Sequence, residues 1–534
     1  MPTEAYIAGA STPLIRDITI GQLLKEAAQS CPDRIALIAG APELKDRKQL
    51  TYAELYRDSL IVARGLRETF QPGERVAVMA PNIIEWLLVQ FGSALAGTVL
   101  VTINPSFQAK EIAYVLNQSG SAGIFVLPEF RGNQMLASVE QVRDDCPELR
   151  EVFSFGQWDE FMAMGKSSSA TLPTVEPGDA VMIQYTSGTT GFPKGALLHH
   201  RGLVNNSGHL TELTGATEGS VYLTAAPLFH TGGCVTAVLG SLSKKRTQIL
   251  VKAFDPALVL ELLETYRVDA TAGVPTMMVA LLEHPDFATR DLSNLSNIVL
   301  AGSAVPAELV QRCEKELGVS LMIGFGQTEC SPGASLTLPG DSTEDKANTI
   351  GGPMPNVEIK IIDPETGATQ PTGLLGEFCV RGYNVMLGYF NMDEATAKTI
   401  DKEQWLHTGD LCSMDERGYC TFEGRLKDMI VRGGENIYPR EIEALLFEHP
   451  SVGEVAVVGL PDDKMGEIVA AFIRPAPGQN ADRETLFSYL REHLSPQKTP
   501  TRWFSVDEFP LTGPGKIQKA ALKTQWQAGG FLEL

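Results

Sequence analysis

Apolar positions along most of the chain fall into short runs separated by amphipathic stretches. Residues 74–82 (ERVAVMAPN) predict a strand ending in a turn, and residues 83–97 (IIEWLLVQFGSALAG) predict a helix closed by Gly97. Residues 98–105 (TVLVTINP) predict the next strand. Together they form a β-α-β unit, which implies a sheet covered by helices on both faces. The same alternation returns at residues 268–274 and at Asn297–Ala301. After Gly424 the scale changes. Pro439, in YPREI, belongs in the first turn of a helix whose apolar stripe is Ile442, Leu445 and Leu446. EVAVVGL and EIVAAFIRP read as strands, and Asp482 caps a helix bearing Leu486, Tyr489, Leu490 and Leu494. This region of about a hundred residues is a compact α+β unit of domain size.

The most membrane-like segment, residues 86–103, is broken by Gln90, Gly92, Ser93 and Gly97 and reads better as a buried helix running into a buried strand. The chain has 534 residues, 43 % of them hydrophobic, so it builds a proper core in more than one domain. A net charge of −21 argues against nucleic acid and against a polybasic membrane-surface role, but a few local donors suffice for phosphates. The eight cysteines form no CxxC and the eight histidines no HExxH. Neither a signal peptide nor a C-terminal targeting signal is apparent, so the expectation is a reduced, cytoplasmic protein.

One stretch resists any packing role. Residues 185–195 read YTSGTTGFPKG. Glycines let a backbone approach a ligand, successive N–H groups form an anion nest, and Thr, Ser and Lys194 add donors and charge. Phosphate is the natural ligand, although alone the stretch is equally a solvated linker. Its lysine spacing does not match a P-loop, and GFGQTE at 324–329 puts Glu329 where a Rossmann fingerprint needs glycine. What changes the reading is a series in one order: YTSGTTGFPKG, GFGQTE, Thr408-Gly409-Asp410, GRLKD at 424–428 and PLTGPGK at 510–516.

This series resembles the adenylate-forming superfamily of acyl-CoA synthetases, luciferases and peptide-synthetase adenylation domains. The resemblance extends from LTYAEL at 50–55 to Lys516. It is strongest toward medium-chain acyl-CoA synthetases of the acyl-CoA synthetase family member 2 type, through QYTSGTTG, Asn205-Asn206-Ser207, AGSAVP and PLTGPGKIQK. It implies an α/β fold: a large N-terminal AMP-binding domain of several subdomains with layered sheets and helices (1–426), and a small mobile α+β C-terminal domain (427–534). It also implies ATP, Mg²⁺ and CoA. A carboxylate is joined to the α-phosphate with loss of pyrophosphate, and a thiol then displaces AMP. Both partners of the first step are anionic, so cations and donors are its main need.

By this resemblance Thr186, Ser187, Gly188, Thr189, Thr190, Gly191 and Lys194 hold the β- and γ-phosphates. Thr328 meets the α-phosphate and Glu329 binds Mg²⁺. Ser303, Ala304, Phe325 and Gly326 border the nucleotide; Phe325 replaces a tyrosine common in relatives and keeps the stacking surface. Asp410 accepts from the ribose hydroxyls and Arg425 reaches the nucleotide. Lys516 bridges the carboxylate and α-phosphate, Lys427 is the hinge, and Arg432, Gly433 and Gly434 line the CoA channel. The pocket for a small-molecule carboxylic acid is expected at His230, Gly232, Gly233, Gly302 and Ser331, where small, uncharged residues suggest an apolar acid. HTGGCVT at 230–236 offers no aspartate for an amino group, unlike amino-acid-activating relatives. Lys244-Lys245-Arg246 reads as a solvated turn, with a CoA-phosphate contact as the alternative. Taken singly, each of these residues is ordinary: a turn aspartate, a capping acid, a loop lysine. Two other functions stay open, loading of a carrier protein and noncatalytic nucleotide sensing. Nothing in the chain argues against a homodimer.

Overall fold

The computed structural model describes residues 4–186, 193–303, 305–433, 435–462, 464–511 and 517–534. The predicted β-α-β unit is present: Arg75–Met79 and Val99–Ile103 pair in parallel, joined by the helix Ile84–Ala96. Gly97 takes φ 71° to close that helix, a conformation glycine adopts without strain. Gly92 on the same helix faces Val62 so closely that a Cβ would lie 2.4 Å from its Cγ1, which fixes the close approach of the helix Tyr52–Thr69. No helix of the described residues is long and apolar enough to cross a membrane.

Four sheets organise the described residues. A seven-stranded sheet runs from Gly388–Tyr389 through Lys194–His199, Ala180–Thr186, Val99–Ile103, Arg75–Met79 and Ser121–Val126 to Glu151–Ser154. A nine-stranded sheet contains the parallel neighbours Val221–Thr224, Ala270–Gly273, Asn297–Ala301 and Ser320–Gly326, then the antiparallel Gly333–Leu336. One buried core of helices and strand faces joins these two sheets. A five-stranded antiparallel sheet holds Gly376–Gly382, Leu406–Met414 and Cys420–Arg425.

Beyond Arg425 a short 3₁₀ turn, Leu426–Asp428, leads to Ile430–Arg432, which belongs to the six-stranded fourth sheet. That sheet has its own two cores, built from residues 430 onward. The long hairpin Val452–Asp462 with Gly466–Pro475 is its centre. Pro439 sits at the start of the helix Pro439–Phe447, and Asp482 accepts the N–H of Thr485 at 2.9 Å to cap Arg483–His493. The chain is thus a large α/β domain followed by a smaller α+β one.

Candidate active site

Thr186 and Lys194 are cross-strand partners at the end of the hairpin formed by Ala180–Thr186 and Lys194–His199. Ser187, Gly188, Thr189, Thr190 and Gly191 lie outside the described residues. The Lys194 ammonium sits 4.1 Å from the centre of the Tyr389 ring, a cation–π contact. Tyr389 donates its hydroxyl to Glu329 Oε1 at 2.6 Å, and both side chains are buried. Burial and the Glu329 carboxylate push the Tyr389 phenol pKa up. Tyr389 lies on the strand Gly388–Tyr389, beside Lys194–His199, and backbone bonds from Met386 to Glu329 and from Phe390 to Gly195 lace the two segments together. Tyr389 was not singled out in the sequence, where GYF looks like any apolar tail of a strand.

The GFGQTE segment bends sharply. The register between Ser320–Gly326 and Gly333–Leu336 slips between Phe325 and Gly326, and a Cβ on Gly326 would lie 2.0 Å from the Pro332 carbonyl oxygen. A 3₁₀ turn, Thr328–Cys330, then presents half-buried Thr328 and buried Glu329. Two asparagines brace this turn. Asn206 donates to Gly333 O at 2.7 Å and accepts its N–H at 2.9 Å. Asn384 donates to Cys330 O at 3.1 Å and Gly333 O at 2.9 Å. Ser331, expected in the acyl pocket, is fully buried and donates its hydroxyl to Asn384 O at 2.6 Å. That bond makes it part of the brace rather than a pocket wall.

Asp410 and Arg425 face each other across adjacent strands, with Arg425 Nε 2.8 Å from Asp410 Oδ1. Asp410 is 1 % exposed, and Arg425 supplies an opposite charge beside its buried carboxyl group. The turn before it is pinned: Gly409 N–H donates to Glu377 Oε1 at 2.9 Å, and Thr408 donates to Phe378 O at 2.6 Å. Glu377 also holds His407 Nδ1 at 3.0 Å and raises the imidazole pKa. Phe325 packs against Phe378 and Phe422, with ring centres 5.3 and 5.6 Å away. Lys427 is exposed as a residue, yet desolvation by the surrounding protein, and after it the charge of Arg425, lower its pKa, with Asp428, Asp410 and Glu329 acting in the opposite sense. Lys427 therefore stands within electrostatic reach of both the GFGQTE and TGD motifs.

His230 is half-buried, and its Nδ1 accepts the N–H of Gly232 at 3.1 Å, closing a tight turn. The next turn, Gly232–Ala237, is π-helical, a form that concentrates at functional sites. Three side chains from the other sheet layer fix this segment: Asn82 to Ala226 O and Leu228 N, Thr102 to Phe229 O and Gln90 to Cys234 O. Gly232 has open space where a side chain would be; its nearest neighbour is His230 Nδ1 at 3.4 Å. Gly233 does not: a Cβ there would lie 2.3 Å from the Pro227 carbonyl oxygen, so its smallness serves backbone packing and not a pocket. Gly302, with φ 88°, and Ser303 are exposed at the end of Asn297–Ala301, and Ala304 lies outside the described residues. Within Lys244-Lys245-Arg246, the two lysines pair with Glu212 and Glu218 at the surface, as a solvated turn requires. Arg246 departs from that reading. It is 3 % exposed and pairs with Asp269 at 2.8 Å.

In the small domain, Arg432 Nη1 donates to Gln497 O, and Gly433, with φ 60°, donates its N–H to Met465 O at 2.7 Å. They form one end of the hairpin Ile430–Arg432 with Glu435–Ile437. Among the described residues no hydrogen bond or ion pair joins this hairpin to Glu329. Gly434 and Lys516 lie outside the described residues.

The family model described as AMP-binding enzyme matches residues 24–390, and that of the AMP-binding enzyme C-terminal domain matches 441–516. The chain belongs to the AMP-binding enzyme family. It is 39 % identical to YngI of Bacillus subtilis, a protein named as an acyl-CoA synthetase, over 95 % of this chain and 96 % of YngI. It is 35 % identical to the mitochondrial medium-chain acyl-CoA ligase ACSF2 of Homo sapiens, over 98 % of this chain and 90 % of that one. Among solved structures, ATP-bound MatB from Rhodopseudomonas palustris superposes with a TM-score of 0.87 at 26 % identity, covering 96 % of this chain and all of that one. The anthranilate CoA ligase AuaEII in complex with anthranoyl-AMP gives 0.86 at 26 % identity, covering 96 % and 98 %. These matches agree with the superfamily that the motif series implied, and with a large domain followed by a small one.

Proposed function

We propose that this AMP-binding enzyme is an ATP-dependent acyl-CoA synthetase. It joins a carboxylic acid of medium length to AMP and passes the acyl group to CoA, releasing pyrophosphate and then AMP. The observation that carries this reading is the convergence of Lys194, Glu329, Asp410 and Arg425, from four separate sequence motifs, around Lys427 and Tyr389. The relatives named above supply the acid and the thiol classes.

In this reading Lys194 and Thr186 face the β- and γ-phosphates as they leave, and their charge and donor capacity favour the pyrophosphate product. Asp410 orients the ribose, held by Arg425 and the pinned Thr408-Gly409 turn. Phe325 supplies an aromatic face for the adenine. Thr328 donates toward the α-phosphate. Glu329 fits a magnesium ion: Tyr389 engages only Oε1, and a buried carboxylate beside phosphate oxygens is a hard-donor set. Bound there, Mg²⁺ would neutralise phosphate charge. Lys516 is assigned to the carboxylate and α-phosphate during adenylation, and Arg432, Gly433 and Gly434 to the pantetheine path. In the second step the CoA thiol gives its proton to solvent, its sulfur attacks the acyl carbonyl, and the bond from that carbon to the phosphate oxygen breaks so that AMP leaves.

The test is pyrophosphate release from ATP with a panel of carboxylic acids, followed by CoA and, separately, a phosphopantetheinylated carrier protein as acceptors. Acid-dependent release with thioester on CoA is expected. Nucleotide binding without acid-dependent release overturns the assignment, and thioester on the carrier alone replaces CoA as acceptor.

A further inference from the structure

Beneath the turn that carries His230, the layer formed by the helices His200–Leu213 and Val238–Ser243 lies over the nine-stranded sheet. Between them is a cavity of about 20 Å³, the room of about one water or one hydroxyl group. Its wall includes Thr214, Tyr222, Thr236, Ser241, Arg246 and Asn297. It also touches Ala272 and Val299, one and three residues before the strand-end glycines 273 and 302. At the rise of a β-strand it therefore begins about 10 Å below the level of Gly302. An acyl chain with its carboxylate near the ends of these strands would reach this depth only with its far end. Most of the threonine hydroxyls on the wall are spent on backbone carbonyls: Thr211 on Ser207, Thr214 on Thr211 and Thr271 on Leu223.

Two polar atoms on the wall are not spent. Ser241 Oγ and Arg246 Nε are buried without a hydrogen-bond partner among the described residues. Both residues are more than nine-tenths buried, at 4 % and 3 % exposure. Arg246 cannot swing away to find one. Its Nη2 is held by Asp269 at 2.8 Å, its guanidinium lies 4.8 Å from the centre of the Tyr222 ring, and its carbonyl accepts from Tyr52 at 2.7 Å. Asp269 also balances its charge, so the end of the cavity is neutral and donor-rich. A methyl terminus placed there would leave both donors unpaired in a dry site. An uncharged acceptor would satisfy them, whereas a second carboxylate would meet the field of Asp269.

We propose that the acid activated by this enzyme carries a hydroxyl or carbonyl group at its distal end, which is received by Ser241 and Arg246. The proposal rests on the acyl-CoA synthetase reading above and deepens it. The acyl chain runs past the Gly232–Ala237 π-helical turn, and its terminal group takes the space of the single water that the cavity would hold.

The test compares hexanoate, octanoate and decanoate with their ω-hydroxy counterparts, by kcat/KM for pyrophosphate release and by calorimetric binding to the full-length protein. At one chain length the ω-hydroxy acid should exceed its methyl-ended partner by about tenfold or more, since a site built to bond a hydroxyl rejects the analogue lacking it. Ser241→Ala should bring that ratio close to one by lowering the hydroxy acid, not by raising the alkyl acid. If Arg246→Met fails to fold because it strands Asp269, the double variant Arg246→Met with Asp269→Asn replaces it. Equal kcat/KM for both acids at every length overturns the proposal, as does a preference that survives both substitutions. A binding preference without any turnover keeps the proposal and overturns the ligase reading instead.

Discussion

Tyr389 is the residue on which the proposed phosphate side of the site turns. Its hydroxyl holds Glu329, and its ring face holds Lys194, so one side chain sets the distance between an acid and a cation. Removing the hydroxyl leaves a buried carboxylate short of one donor, worth about 1.5–3 kcal/mol for a bond to a charged group. Tyr389→Phe should therefore lower acid-dependent pyrophosphate release by about tenfold or more, with a raised magnesium requirement because Glu329 is no longer aimed. A magnesium titration of the variant checks this; an unchanged half-saturating concentration and rate would mean that Glu329 is positioned by its backbone alone. At the same scale the sequence was only partly legible. Glu329, Asp410 and Lys194 could be picked out because each stands in a motif. Tyr389 could not, since its role comes from pairing between strands far apart in the chain. Arg246 was misread because a run of three basic residues has the look of a solvated turn, and only the fold reveals Asp269 behind it. Gly233 and Ser331 read as pocket residues because they are small and stand beside His230 and the GFGQTE motif; what they pack against, Pro227 and Asn384, comes only from the fold.

Strands and helices were far more legible, because periods of two and of 3.6 residues survive without tertiary context. What the periodicity cannot show is how loops between elements are braced. The turn 328–333 hangs on Asn206 from one helix and Asn384 from a distant segment. Asn384→Ala should destabilise the protein by about 1–3 kcal/mol, because the buried Cys330 carbonyl loses its side-chain donor while Gly333 O keeps that of Asn206, and should raise the KM for ATP through Thr328 and Glu329. Denaturant unfolding and initial-rate kinetics test the two parts separately; a stable variant with normal KM would show the brace to be redundant. A second contact between elements is titratable. His200, the first residue of the helix His200–Leu213, accepts the N–H of Ile20 with Nδ1 at 3.2 Å, at the start of the helix Ile20–Ser30. Burial pushes its pKa down to about 4, from 6.5. The folded state thus binds fewer protons than the unfolded one. The stability that neutral His200 supplies is complete above pH 6.5 and is lost as pH falls toward 4, up to about 3 kcal/mol. His200→Asn keeps an acceptor and does not titrate, so its melting temperature should fall less than that of the wild type between pH 6.5 and 4. Parallel curves for the two proteins would remove His200 from the acid response.

For the molecule as a whole, the problem is that one nucleotide site must serve two reactions with different partners. The large domain carries Lys194, Glu329 and Asp410, while Lys516 and the Arg432–Gly433 hairpin belong to the small one. Between Arg425, the last residue of the five-stranded sheet, and Ile430, the first of the six-stranded one, lie only the 3₁₀ turn Leu426–Asp428 and Met429. Among the described residues the turn is bridged by the Met429 N–H to Arg425 O at 3.1 Å and by the Arg440 guanidinium, 4.9 Å from the Phe422 ring centre. A short turn with few cross-links is where a large φ/ψ change is absorbed most cheaply. Lys427 is the middle residue of that turn and is exposed, so a substitution there disturbs no core. Proline fixes φ near −65° and removes the N–H. Lys427→Pro should therefore hold the two domains in one arrangement. If that arrangement is the adenylating one, single-turnover pyrophosphate release should stay near the wild-type rate while thioester formation falls by at least about tenfold, a loss typical of misplaced reacting groups. The half-reactions are separated by rapid quench, first with acid and ATP, then with purified acyl-adenylate and CoA. Equal loss in both steps would point to local damage at Arg425 and Asp410. Unimpaired thioester formation would mean that the domains rotate elsewhere or need not rotate.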